Sequence, residues 1–201
     1  NGNFVFDFED GFSTIKGLSL GMAGKHNVEN AVAAIGVALS LGIHPKSIKA
    51  AVANFKGVKR RFEKIVNNEE HIYIDDYAHH PEELKACFDA VRQLHPTKKL
   101  TVVFQPHLFS RTRDFVDGFA ESLSKFDEVL LMDIYPAREL PMEGVTSEWL
   151  LGKMTNSNKK IVVKENLLAE IKANDAPIIV TIGAGDIGEM VPSIKTILNE
   201  N

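Results

Sequence analysis

Downstream of Glu63 the chain keeps repeating one pattern: a short, continuously apolar stretch, then a longer one with helical spacing. The apolar stretches are 72–75, 100–104, 129–133, 161–163 and 178–182, and helical periodicity fills 81–94, 112–126, 147–154, 166–173 and about 189–198. Strands this short and this apolar, alternating with helices, predict an α/β fold: a mostly parallel sheet covered by helices on both faces. In such a sheet the loops after the strands share one edge, and ligands bind there.

The stretch 72–81 shows the consequence. Ile72 and Ile74 lead into Asp75, Asp76, Tyr77, Ala78, His79 and His80, and Pro81 follows. A strand thus delivers carboxylates and imidazoles to its C-terminal end. Pro81 suits the first helical position, where an N–H would have no intrahelical partner. Glu82 and Glu83 fall in the first turn, which favours negative charge. Leu84, Cys87, Phe88 and Val91 recur at helical spacing and predict a core stripe. Two acids and two histidines can act as metal ligands, as acid/base groups or as hydrogen-bond partners of a polar substrate. Consecutive residues at a strand end point in different directions, and no further His or Cys stands at zinc-ligand spacing, so no metal is assigned here.

Polar residues collect after the other strands too, at 105–113, 133–139 and 183–188. The last of these spells GxGxxG. The dinucleotide fingerprint also needs a whole βαβ unit with an acidic residue some 20 positions on. Only 13 residues follow Gly188, so the loop reads as a tight turn, structural or facing an anion.

Upstream, Phe4, Phe6 and Phe8, a turn at Gly11, and Ile15, Leu18 and Leu20 predict two short strands. A glycine-flanked turn at 21–27 precedes a helix to about Leu41, with Val28, Ala31, Val32, Ile35 and Leu39 as its apolar face and Gly42 as its stop. A second helix opens at Pro45 and ends near Phe55. Then Lys59, Arg60 and Arg61 interrupt every periodicity, as a connection between domains does; the charges are either simply solvated, the usual fate of such a run, or Arg60 or Arg61 reaches a phosphate.

The net charge of −4, without any basic run, argues against a nucleic-acid partner. No 18-residue apolar stretch predicts a membrane span. The single cysteine, Cys87, has no internal partner for a disulfide, which fits the cytoplasm. A first residue other than Met suggests a piece of a longer protein.

Taken in order, GKHNVENAVAA, GVKRRFE, IDDYAHHP, FQPHLFSRTRDF, DIYPARE and TIGAGDI resemble the Mur ligases across residues 24–187. The resemblance implies that residues 1–59 are the C-terminal part of a central ATPase domain. Residues 60–201 would form a complete Rossmann-like C-terminal domain. The N-terminal domain and the rest of the central one would lie upstream, because no G-x-x-x-x-G-K-[ST] phosphate loop occurs in the chain.

It further implies ATP-dependent amide ligation in peptidoglycan synthesis, with L-alanine and UDP-N-acetylmuramate as substrates, or a tripeptide in place of alanine. A binding module without catalysis is the remaining alternative for the chain by itself. Mg2+ would be held mostly by upstream residues. By the same resemblance Asn27 and Asn30 contact adenine, Arg61 an ATP phosphate, and Asp76 lies near the ribose. His79, His107 and Arg111 hold L-alanine and the muramoyl carboxylate, with Arg61 and His79 the catalytic pair. From the residues alone, Asn27 reads as a helix N-cap, and Arg111 can simply pair with Asp114. Leu108 and Arg138 depart from the family pattern.

Overall fold

The structure, a computed structural model, describes residues 4–22 and 24–199; Ala23, in the glycine-flanked turn, lies outside them. The chain divides into two compact units, Asn1–Val58 with Asp89–Pro96, and Lys59–Phe88 with Thr97–Asn201.

In the first unit, β1 (Phe4–Glu9) and β2 (Thr14–Leu20) pair antiparallel, followed by α1 (Lys25–Ser40) and α2 (Pro45–Asn54). Phe8, Ile15, Leu18, Ile35 and Ile48 form its core. Gly42 ends α1 with φ 76, its N–H bonding Leu39 O while the Ile43 N–H bonds Ala38 O, a Schellman closure. Pro45 opens α2, and the His44 ring accepts from the Lys46 N–H as its cap. Val32, expected on the apolar face of α1, is 38% exposed. Gly24, not Asn27, occupies the N-cap of α1 and makes no side-chain cap; Asn27 lies three residues further on, already inside the helix.

The second unit is built on a six-stranded sheet. Its strands are β3 (Glu63–Asn67), β4 (Ile72–Asp76), β5 (Leu100–Phe104), β6 (Glu128–Leu131), β7 (Lys159–Ile161) and β8 (Ile178–Ile182). Their spatial order is β3-β4-β8-β5-β6-β7. All neighbours run parallel except β3, which pairs antiparallel with β4 at one edge. The sequence pattern does not predict β3. Its residues alternate only partly in burial, and its register shifts between Lys64 and Val66, as an irregular edge strand tolerates. The strand expected at 161–163 forms two residues earlier.

Helices cover both faces. The connections are α3 (Pro81–Leu94), α4 (Phe109–Asp114), α5 (Val116–Leu123), α6 (Ser147–Lys153), α7 (Leu167–Lys172) and finally α8 (Ile187–Asn199). On one face, Ile187, Ile194 and Leu198 of α8 and Leu167 and Ile171 of α7 close over Tyr73, Val103, Leu130 and Ile179. On the other, Phe119 of α5 lies 5.6 Å from Phe104, and Phe88 of α3 meets Phe126 edge-on at 5.0 Å. The continuous helix expected over 112–126 is instead two. Phe115 leaves helical geometry at φ −120, and α4 starts three residues earlier than expected. No helix among the described residues is long and apolar enough to cross a membrane.

Leu130 is 1% exposed in the centre of this layer. Leu130→Ala is expected to destabilise the fold by about 2–5 kcal/mol. Urea unfolding should show a lower midpoint at unchanged slope.

Candidate functional site

Strand β4 is buried along its whole length, so the polar residues at its end need partners. Asp75 is fully buried: its Oδ1 accepts from the Thr181 hydroxyl at 2.6 Å and its Oδ2 from Arg60 Nε at 2.9 Å. Thr181 in turn lies 2.9 Å from the Tyr73 hydroxyl. Asp76 points the other way. Its two oxygens accept the N–H groups of Ala78 at 2.7 Å and Phe62 at 2.8 Å. Burial pushes both carboxyls up, against the Thr181 and Arg60 contacts at Asp75 and the backbone donors at Asp76.

Beyond β4 the two histidines part company. His80 turns its ring to Phe115, with centroids 4.5 Å apart. His79 faces the β5 loop, 6.3 Å from the His107 ring. Glu83 accepts the N–H groups of both His79 and His80, closing the start of α3. His79 Nδ1 lies 2.9 Å from the Tyr77 carbonyl, which only accepts, so Nδ1 carries the proton and Nε2 presents a lone pair when the ring is neutral.

Arg111 Nη1 stands 3.3 Å from His107 Nδ1. A guanidinium only donates, so His107 is the opposite tautomer, with its proton on Nε2. Burial, then the Arg111 and His79 charges, lower the His107 pKa below its ordinary value. Arg111 sits within α4 rather than ahead of a helix, and the residue paired with Asp114 is Arg113, at 2.7 Å. The start of α4 depends on Leu108 at φ 71 and on Glu139, which accepts from the Ser110 N–H at 2.9 Å and from the Ser110 hydroxyl. Those contacts hold the Glu139 carboxyl below the usual range. Tyr135 stacks on His107 at 5.7 Å, and the Leu108 N–H bonds its carbonyl. In this turn the left-handed residue is Ala137, φ 52; Arg138 next to it is exposed.

Gln105 ties the β5 loop to the loop after β8. Its Nε2 donates to Asp186 at 2.6 Å and its Oε1 accepts from the Ile187 N–H at 2.9 Å. Gly185 packs so tightly on Gln105 and Tyr135 that a Cβ would fall 2.4 Å from Gln105 Oε1. Burial raises the Asp186 carboxyl, but the salt bridge to Lys164 and the Gln105 bond outweigh it, and its pKa is lowered.

The structure therefore brings His79, His107 and Arg111 together, with Tyr135 beside them. Arg61 is exposed, its guanidinium 5.7 Å over the Tyr77 ring, and Tyr77 is 5.5 Å from His79. Asn27 and exposed Asn30 lie in the first unit. Sequence reasoning assigned nothing to Gln105, Glu139 or Tyr135. Gln105 was the one open to detection, since a side chain directly after a buried strand must bond whatever lies beside it. Among the described residues no group of three or more His, Cys, Asp or Glu side chains can hold a metal ion.

A family model described as Mur ligase, glutamate ligase domain, matches residues 60–185. The chain belongs to the Mur ligase family. The UDP-N-acetylmuramate–L-alanine ligase of Flavobacterium johnsoniae is 64% identical over 201 residues, covering 100% of this chain and 45% of the relative. The enzyme of that description from Flavobacterium psychrophilum is 56% identical over 200 residues, again with 100% and 45% covered. Among solved structures, the UDP-N-acetylmuramate–alanine ligase of Thermotoga maritima superposes with a TM-score of 0.74 at 25% identity, covering 96% of this chain and 42% of that one. A murein peptide ligase from Psychrobacter arcticus shares the fold, with a TM-score of 0.67 at 24% identity over 100% of this chain and 42% of that one. The chain thus spans less than half the length of these Mur ligases.

The site makes a measurable prediction. In an NMR titration His107 should titrate below 6.5, its ordinary value. Arg111→Gln should raise that pKa only in part, because burial is the larger cause. Unfolded His107 takes up a proton at higher pH than the folded ring does. Its contribution therefore favours the fold above the ordinary value and is withdrawn as pH falls from there toward the depressed one.

Proposed function

We propose that this chain is the acceptor-binding part of a longer ATP-dependent ligase that joins L-alanine to UDP-N-acetylmuramate. The observation that carries the reading is the convergence of His79, His107 and Arg111 at the C-terminal edge of the sheet. Relatives that cover the whole chain at 64% and 56% identity support it. Residues 1–59 are then the last part of a central ATPase domain and residues 60–201 the C-terminal domain. The unbridged, buried thiol of Cys87 suits a cytoplasmic enzyme.

In this reading ATP phosphorylates the muramoyl carboxylate. The alanine amine attacks the resulting acyl phosphate, the amide bond forms and inorganic phosphate leaves. Arg111 is suited to hold the alanine carboxylate, because a guanidinium fork pairs with it bidentately. The Nε2–H of His107 offers that carboxylate a second donor. An ammonium group cannot attack until it loses a proton, and the Nε2 lone pair of His79 is the nearby acceptor for it. Arg61 faces the phosphate chain, where its fixed charge stabilises the transferring phosphoryl oxygens. Asn27 and Asn30 serve adenine and Asp76 the ribose side. Mg2+ would supply charge neutralisation on the phosphates, held in this reading mostly by residues upstream.

Arg111→Ala in the full-length protein should lower kcat/KM for L-alanine about 30- to 1,000-fold, the cost of about 2–4 kcal/mol for a lost charge-assisted contact. The ATP KM should stay near wild type, and Arg111→Lys should recover only part of the loss. Wild-type alanine kinetics in Arg111→Ala would refute the assignment. Turnover of the full-length protein with a tripeptide and not with alanine would reassign the substrate. The 201-residue chain alone, which has no phosphate loop, is expected to form no ADP above a buffer blank in a coupled assay.

A further inference from the structure

Arg60 and Arg61 are adjacent cations in the second unit; both guanidinium groups lie over the Tyr77 ring, at 5.0 and 5.7 Å, but their polar surroundings differ. Arg60 is held through Nε, Nη2 and both of its backbone polar groups. Its Nε donates to Asp75 at 2.9 Å and its Nη2 to the Gly183 carbonyl at 2.6 Å. Its own N–H bonds Glu63 Oε2 at 2.8 Å, and its carbonyl accepts the Tyr77 N–H at 2.7 Å. The guanidinium fills the space beside Gly188, where a Cβ would fall 2.5 Å from Nη1. Arg61 has an exposed side chain, but its backbone is gripped on both sides. Arg60 and Phe62 flank it at φ 58 and 50, conformations that non-glycine residues adopt only when their surroundings enforce them. The Asp76 carboxylate secures the Phe62 N–H at 2.8 Å.

We propose that Arg60 is a positioning residue for nucleotide binding: locked on Asp75 and the Gly183 carbonyl, it aims Arg61 and the 183–188 loop at the phosphate chain of ATP. This rests on the reading of Arg61 as a phosphate ligand. One guanidinium ties the connection at 59–62 to β4 and to the end of β8. The charge that serves as anchor is half-buried and held on its two acceptors, and the exposed one beside it is left to meet an anion. A lysine at position 60 can keep the ion pair with Asp75 but cannot span both acceptors, since it lacks the planar fork.

The test uses the full-length protein, with ATP affinity measured by calorimetry alongside steady-state kinetics. Two substitutions attack the same contact from opposite sides. Arg60→Lys removes the fork; Gly188→Ala puts a methyl where the fork lies, at a backbone conformation that alanine adopts freely. Each should weaken ATP binding about 10- to 100-fold, as expected for loss of a charge-assisted arrangement. The KM for L-alanine should stay within about twofold of wild type. Because both act through one guanidinium, the double variant should bind ATP no worse than Arg60→Lys alone. ATP affinity at the wild-type level in folded Gly188→Ala or Arg60→Lys would overturn the proposal, as would fully additive losses. A wild-type protein that binds ATP but does not ligate alanine would refute the functional reading and leave this test standing; one that binds no ATP would refute both.

Discussion

Three parallel strands stop level with one another, and the chemistry of the second unit follows from that register. Asp76 on β4 pairs with Ile182 on β8, and Ile182 with Phe104 on β5. The next residue on each strand starts a loop, so His79, His107 and the 183–188 turn rise from one line. Because β8 returns between β4 and β5, the two imidazole-bearing loops stand astride the glycine-rich one. A shift of one residue would turn Asp75 and Asp76 to opposite faces and exchange their partners.

The level edge carries a cost. Asp75, Asp76, Gln105 and Thr181 are all buried there, and a buried polar group without a partner costs about 1–3 kcal/mol. Each is satisfied, and each by a group from another segment: Arg60 and Thr181 for Asp75, the Phe62 N–H for Asp76, Asp186 and the Ile187 N–H for Gln105. The bonds that neutralise this cost therefore also fix the loops against one another. Removing Arg60 would leave Asp75 buried without its charge partner, a change that typically costs about 3–5 kcal/mol.

Much of this was legible in the chain. Continuous apolar runs gave β4, β5 and β8, and Pro81 with its glutamates gave the start of α3. The edge strand β3 was not legible, because a half-exposed strand with a register shift shows neither alternation nor a continuous apolar run. Nor was the break at Phe115, where the apolar periodicity continues across a tertiary kink. Sequence placed His79, His107 and Arg111 in loops that share an edge, while Arg60 and Arg61 read alike from the residues and only the resemblance named Arg61 for the phosphate. Their different settings follow left-handed backbone at 60 and 62, which no glycine announces. Gln105, Tyr135 and Glu139 escaped for a similar reason: their work is to hold other loops, and nothing in their own neighbourhood reveals the partner.

The parallel arrangement also sets a separate group of charges at the opposite edge of the sheet, where Lys99 pairs with Asp175 and Glu128. The turns at 124–127, 154–158 and 173–177 gather there, a full strand away from the imidazoles. Five residues of strand span about 16 Å, roughly twice the screening length at physiological ionic strength. A fluorophore, an affinity handle or a surface-immobilisation point placed in those turns would report on the protein from outside the electrostatic reach of Arg111 and the imidazoles beside it.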